Sequence, residues 1–413
     1  MLAFTFPGQG SQKEGMGKAW VDHPSWELVE EASSLSGRNL EYLLLDAPLE
    51  ELTQTKNAQI ATFLLSLVIL DSIERLGLSA TVALGHSLGE YTALAATGAI
   101  SLEEGIELVA LRGNLMQKAG EIHEGTMAAV LGLDVDSVEI ACSRAIDDVW
   151  VANDNSANQI VIAGSKEGVL KASQIAKQLG AKKVIQLNVS GAFHTPFMSS
   201  AKDELIEKLQ TIDFRSPSIP IISNVDATLH SDSEEWVNLL TAQLLNRVRW
   251  RQSIEKLNSL KVTTVIEVGQ GGVLTAISKR VLGPFGIGSI GIGSPEDLDS
   301  LIEHLAGEGS SNIPAHLHGE ALHVTDRIVI SPFAGIFTPE KDLLSKVSSP
   351  ATMTKRKGNG QSVKLDVGSK LGEVSDSDVC TPFSGYLQGF LTIPGERVTQ
   401  GQPVAWIREA LDI

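Results

Sequence analysis

Residues 82–91, VALGHSLGEY, constrain the fold more than any other stretch. An apolar run stops at Gly85, Ser87 stands two positions on, Gly89 follows, and helical patterning begins. Strand, Gly-x-Ser-x-Gly and helix in that order make a nucleophile elbow, where a sharp turn exposes a serine hydroxyl at the top of a sheet. Glycines suit such a turn because strand and helix approach closely only where no β-carbon intervenes. The helix N-terminus that follows offers N–H groups to an oxyanion. A plain strand-to-helix turn can use the same pentapeptide, so the rest of the chain has to decide.

The first 120 residues alternate short apolar runs with helical patterns. Strands are expected at Leu2–Phe6 and Val82–Leu84, a long apolar helix at Ile60–Leu76, and further helices after Ser87 and Ser101. This alternation predicts a parallel sheet covered on both faces. Residues 126–189 change the order: MAAVLGL, DSVEIACSRAI, VWVAN, QIVIAG, EGVLKASQIAKQL and KVIQLNV read strand, helix, strand, strand, helix, strand. That is the βαββαβ pattern of a ferredoxin-like unit. The α/β core is thus expected at 1–125 and 190–306, the inserted subdomain at 126–189, and a linker at 307–319, GEGSSNIPAHLHG. From 320 to 413 short strands and turns suggest a small β-domain. An internal repeat supports it, SPFAGIF at 331–337 and TPFSGYL at 381–387.

Composition narrows the function classes. The formal charge of −17 disfavours nucleic acid or an anionic membrane as partner. Apolar runs fall short of the roughly 20 residues of a membrane helix, and the N-terminus lacks a basic leader pattern. Cys142 and Cys380 stand far apart without metal spacing, which suits a reducing, cytoplasmic setting. The histidines form no metal pattern either; His316, His318 and His323 fall at the expected linker.

A serine needs a base within hydrogen-bond reach. His194 in VSGAFHTPFM is the best candidate, though taken alone it reads more readily as a structural loop histidine. Ser101 and Glu104 form a capping box that opens a helix to about Lys118. On that helix Gly105, Leu108, Val109, Leu115 and Met116 share a face with Arg112. A cation in an apolar stripe must be paired, either with a protein carboxylate or with the carboxylate of a substrate. The loop FPGQGSQ adds Gln9, an oxyanion donor or a turn residue, and lacks the spacing of a phosphate loop.

Taken in order, FPGQGSQ, GHSLGEYTAL, ALRGNLM, NDNSANQIVIAG, GAFHTPFM and VIEVGQGGVL resemble the malonyl-CoA:acyl-carrier-protein transacylases of fatty-acid and polyketide synthesis, over roughly residues 1 to 290. The resemblance implies an α/β-hydrolase-like core and a ping-pong exchange without a cofactor. Malonyl would pass from CoA to Ser87 and on to the phosphopantetheine thiol of an acyl carrier protein. It implies His194 as base, oriented by a main-chain carbonyl assigned here to Arg249 in NRVRW. Gln9 and the Leu88 amide would form the oxyanion hole, Arg112 would bind the malonyl carboxylate, and Phe193 would crowd a branched acyl group. An acidic carrier needs a local basic patch, for which Lys182–Lys183, Lys279–Arg280 and Arg247/Arg249/Arg251 are candidates.

Residues 320–413 depart from that family and resemble a biotinyl/lipoyl barrel, with its two related halves. The hairpin stretch EVSDSDVCTP has no lysine and Lys370 is the nearest, so this domain is expected to carry no covalent group and to dock a partner instead. TKRKGNGQS at 354–362 reads as a basic loop. Competing readings are an acyl hydrolase acting on carrier proteins, a transacylase of malonate decarboxylation, and an idle scaffold. Arg112 speaks against the first, and the intact set of Ser87, His194, Gln9 and Arg112 against the last.

Overall fold

The computed structural model describes residues 1–308, 326–344 and 363–408, apart from positions 376 and 383. The chain divides into two compact units, Met1–Pro314 and Ala315–Ile413. The expected basic loop at 354–362 and the linker histidines lie outside the described residues. The helix Glu296–Glu308 runs to the edge of the described region and takes in the first residues of the expected linker.

In the first unit, strands β1 (Leu2–Phe6), β2 (Val82–Gly85), β7 (Ile221–Ile222), β8 (Leu229–His230), β9 (Thr264–Val268) and β10 (Gly288–Ile292) form one sheet. Their order is β10-β9-β1-β2-β7-β8. All neighbours are parallel except the β7–β8 edge pair. β2 is buried along its whole length, which explains its unbroken apolar sequence. The helix Thr55–Arg75 has the length and apolarity of a membrane span, yet 89% of its most apolar window is buried inside the fold. It is a core helix, and the Leu102–Ile122 helix packs along it.

The insert contributes β3 (Thr126–Leu131), β4 (Val149–Ser156), β5 (Gln159–Gly164) and β6 (Lys183–Gln186), with helices Val135–Ala145 and Lys166–Gln178 between them. The strands lie β4-β5-β3-β6, all antiparallel. β4 ties the insert to the core. The Asp154 amide donates to the Val248 carbonyl, and Arg251 grips the buried Asp154 carboxylate through Nε at 3.0 Å and Nη2 at 2.8 Å.

The second unit holds two four-stranded sheets, β11-β18-β16-β13 and β15-β14-β12-β17. Their strands are β11 (Asp326–Ile330), β12 (Gly335–Pro339), β13 (Val363–Leu365), β14 (Lys370–Val374), β15 (Ser377–Cys380), β16 (Gly385–Phe390), β17 (Arg397–Val398) and β18 (Pro403–Arg408). Each copy of the repeat carries the chain from one sheet to the other, between β11 and β12 and between β15 and β16. Phe337 and Phe390, one from each sheet, meet in the core with ring centroids 5.9 Å apart.

Candidate active site

Ser87 sits between β2 and the helix Leu88–Ala96 with φ 54° and ψ −101°, a backbone state costly for a residue with a side chain. The flanking glycines make it feasible. A β-carbon on Gly85 would collide with the backbone of Gly89, and one on Gly89 would collide with the Phe6 carbonyl. Asn224, buried after β7, clamps the turn. Its Oδ1 accepts the Ser87 amide at 2.7 Å and its Nδ2 donates to the Gly85 carbonyl at 2.7 Å. The strain at Ser87 is thus held in place by its neighbours.

The Ser87 hydroxyl lies 2.7 Å from Nε2 of His194. His194 Nδ1 faces the Gln243 main-chain carbonyl at 2.8 Å. A carbonyl only accepts, so Nδ1 carries the proton and the Nε2 lone pair points at the serine. Burial first, and then the Arg112 charge, hold His194 down at about 3, so it is neutral at ordinary pH and its Nε2 lone pair is free. This corrects the assignment of the orienting carbonyl to Arg249. The Arg249 carbonyl caps its own helix by accepting from Ser253, while its amide donates to the Asn224 carbonyl. Arg249 therefore reaches the elbow one step removed.

Arg112 is 1% exposed and makes no ion pair among the described residues. Its Nη1 donates to Gln59 Oε1 at 2.7 Å, and its Nη2 to Gln243 Oε1 at 2.9 Å and to the Ser87 hydroxyl at 3.1 Å. The Tyr91 ring lies 4.8 Å from the guanidinium carbon. The capping box that starts its helix is present, with Ser101 Oγ taking the Glu104 amide and the Glu104 carboxylate taking the Ser101 amide. Gln243 joins the parts. Besides its carbonyl on His194 and its Oε1 on Arg112, its Nε2 donates to the Ser87 carbonyl at 2.8 Å and to Glu90 Oε2 at 2.6 Å. Glu90 is wholly buried, and burial pushes its carboxyl up to about 7 against the pull of its hydrogen bonds and of Arg112.

The Leu88 amide, at the first position of its helix, is among those an α-helix leaves without an intrahelical acceptor. The Pro7–Ser11 loop lies on the same turn, since a β-carbon on Gly8 would press on the His86 carbonyl. Gln9 contacts Thr55 through Nε2 at 3.5 Å. Phe193 is buried beside His194. His86 points away from the serine into the insert, where Nε2 meets Asn155 Oδ1 at 2.8 Å and the ring stands on Trp250.

A cleft of about 720 Å³ reaches His194 between the insert (Cys142, Ile146, Trp150) and the core segment carrying Arg247 and Arg249. Of the basic candidates these two line the cleft. Arg247 pairs with Glu139 across it, Arg251 is taken by Asp154, and Arg280 reaches Gln159 at 3.0 Å. The sequence reading missed Gln59, Glu90, Asn224 and Gln243. Its one usable signal was a polar residue inside an apolar run, as in NAQIATFLL and NLLTAQLL.

An elbow serine on a parallel sheet, with a neutral histidine beside it, defines the class as one of enzymes that act through serine on acyl groups. The family model described as the acyl transferase domain matches residues 3–284. The malonyl CoA-acyl carrier protein transacylase of Bacillus subtilis is 38% identical over 315 residues, 75% of this chain and 99% of that protein. The acyl carrier protein S-malonyltransferase of Vibrio cholerae superposes with a TM-score of 0.70 at 37% identity, covering 73% of this chain and 99% of that one. A malonyl-transacylase solved in complex with its type II polyketide synthase acyl-carrier protein gives a TM-score of 0.70 at 35% identity, with the same coverage. The chain belongs to the acyl transferase domain family.

Proposed function

We propose that this protein transfers a malonyl group from malonyl-CoA to the phosphopantetheine thiol of an acyl carrier protein. The observation that carries the reading is Arg112, a buried cation without a carboxylate partner among the described residues, donating to the nucleophile itself. A malonyl group on Ser87 would bring a carboxylate within reach of it.

Ser87 Oγ attacks the thioester carbonyl while His194 Nε2 takes its proton. The tetrahedral oxyanion collapses, the C–S bond breaks, and CoA leaves as its thiol with the proton from His194. The carrier thiol then gives its proton to His194, attacks the malonyl-serine ester, and Ser87 recovers the hydrogen. The Leu88 amide and Gln9 hold the oxyanion in both halves, and a donor of that kind contributes about 3 kcal/mol to lowering the barrier. No cofactor enters. Phe193 favours malonyl over its α-methyl analogue by about 1 to 3 kcal/mol. The carrier docks at the cleft mouth, where Arg249 meets its acidic surface.

The first unit is read as an α/β-hydrolase-like core with a ferredoxin-like insert, on the strength of the elbow and of the insert's strand order. The second is read as a biotinyl/lipoyl-like barrel without a covalent group, supported by its two related halves and by the lack of a lysine in the stretch EVSDSDVCTP. It serves to dock a partner. Unpaired Cys142 and Cys380 agree with a cytoplasmic setting.

Intact mass after brief exposure to malonyl-CoA tests the reading. A malonyl adduct is expected on the wild type and not on Ser87→Ala, where turnover falls at least about 10⁴-fold. Labelling that survives in Ser87→Ala, or none in the wild type, overturns it.

A further inference from the structure

We propose that Glu90 is a positioning residue for acyl-group selection: its carboxylate orients the Gln243 side-chain amide, and that amide sets the Arg112 guanidinium to receive an acyl carboxylate. The inference rests on the malonyl-transfer reading above.

Glu90 lies in the first turn of the helix that follows Ser87, with none of its surface exposed. Its Oε1 accepts the Asn224 amide at 3.0 Å and its Oε2 accepts Gln243 Nε2 at 2.6 Å. A side-chain amide has a donor end and an acceptor end, and only its partners decide which way it faces. Here the Glu90 carboxylate and the Ser87 carbonyl, both acceptors, hold the NH₂ end. The oxygen is thereby turned to Arg112 Nη2. The opposite orientation would set NH₂ against guanidinium and oxygen against two acceptors. Gln243 and Gln59 grip the guanidinium from two sides, so its plane is fixed before any acyl group arrives.

The protonation state of Glu90 matters to this arrangement. A carboxylate accepts from Gln243, whereas a carboxyl group that turned its O–H toward the NH₂ end would oppose it. Burial places that exchange at about 7. The groups around it are Arg112, Gln243, the Asn224 amide and the Ser223 hydroxyl, which favour the charged form, with Tyr91 on its own helix. His194 and His86, on the far side of the serine turn, are both shifted down by burial. The carboxyl has a raised folded value, so the ordered arrangement is complete above about pH 7 and is lost as pH falls through it.

The test follows the rate of Ser87 acylation by malonyl-CoA and by acetyl-CoA, read by intact mass on the full chain. Wild type, Glu90→Gln, Arg112→Ala and the double variant are compared at pH 6 and pH 8. Glu90→Gln is expected to slow malonyl labelling about tenfold and acetyl labelling less than twofold, and to add nothing in the Arg112→Ala background. The wild-type ratio of malonyl to acetyl labelling rises with pH, while that of Glu90→Gln stays flat. Equal slowing of both acyl groups, or a wild-type ratio that does not move with pH, overturns the proposal. Should Glu90→Gln fail to fold, the wild-type pH series alone decides. If Arg112→Ala labels with malonyl at the wild-type rate, the underlying reading fails; if Arg112→Ala alone shifts the ratio, only the role of Glu90 does.

Discussion

Arg112 and Lys370 are opposite solutions to holding a cation. Arg112 is buried among neutral partners, two glutamine oxygens, a serine hydroxyl and an aromatic face. Lys370, at the start of β14 and a third exposed, sits within reach of Glu340, Glu373 and Asp378, with Asp378 at 2.6 Å. Those carboxylates raise the Lys370 ammonium above its ordinary value, whereas burial lowers Arg112. A lysine already matched by acids has little charge left to offer a ligand. An arginine desolvated without a direct ion pair among the described residues, with the Glu90 charge only at a distance, still has charge to offer an anion, and its position against Ser87 says where.

The contrast breaks first at Arg112. Arg112→Lys keeps the charge but loses the planar fork, and malonyl transfer is expected to fall about 100-fold in kcat/KM while acetyl transfer changes little. An equal fall for both acyl groups would show that the arginine serves the nucleophile alone. A smaller effect sharpens the electrostatics of the same site. With His194 held down at about 3, its lone pair is available through the whole ordinary histidine range. Ser87 labelling by a fluorophosphonate should therefore keep its rate from pH 8 to about pH 5, where a histidine of normal pKa near 6.5 would lose more than tenfold. A fall centred near 6.5 would place the base elsewhere. The smallest effect belongs to Lys370. Lys370→Gln should leave Ser87 labelling unchanged and the thermal midpoint nearly so, because exposed ion pairs contribute little. A drop in labelling would give that lysine a function in the reaction.

Side chains with chemical identity were legible from the sequence; main-chain atoms and amides were not. The elbow, the capping box and Arg112 in its apolar stripe each announce themselves by spacing, and the structure brings Ser87, His194 and Arg112 together. The orienting carbonyl was sought at Arg249 and belongs to Gln243. Every residue carries the same carbonyl, and only the tertiary path of the Trp236–Leu245 helix brings one of them to Nδ1. Gln59 and Gln243 stand in apolar helices for the reason Arg112 does. A buried polar group needs partners, and such residues tend to find one another. Asn224 left no such trace, since its clamp depends on the turn after β7 lying beside β2.

The sheet order also sets a schedule for the newly made chain. β1 precedes both of its neighbours in the chain and lies between β2 and β9, and the Thr5 hydroxyl bonds the Ile266 carbonyl 261 residues further on. At cellular translation speeds, on the order of ten residues per second, that partner appears tens of seconds after β1 emerges. The insert, whose strands all fall between Thr126 and Gln186, can pair its own edges long before then. Through that interval one flank of β1 remains open to other chains, and it is there, rather than at the Ser87 turn, that a nascent copy is most exposed to aggregation.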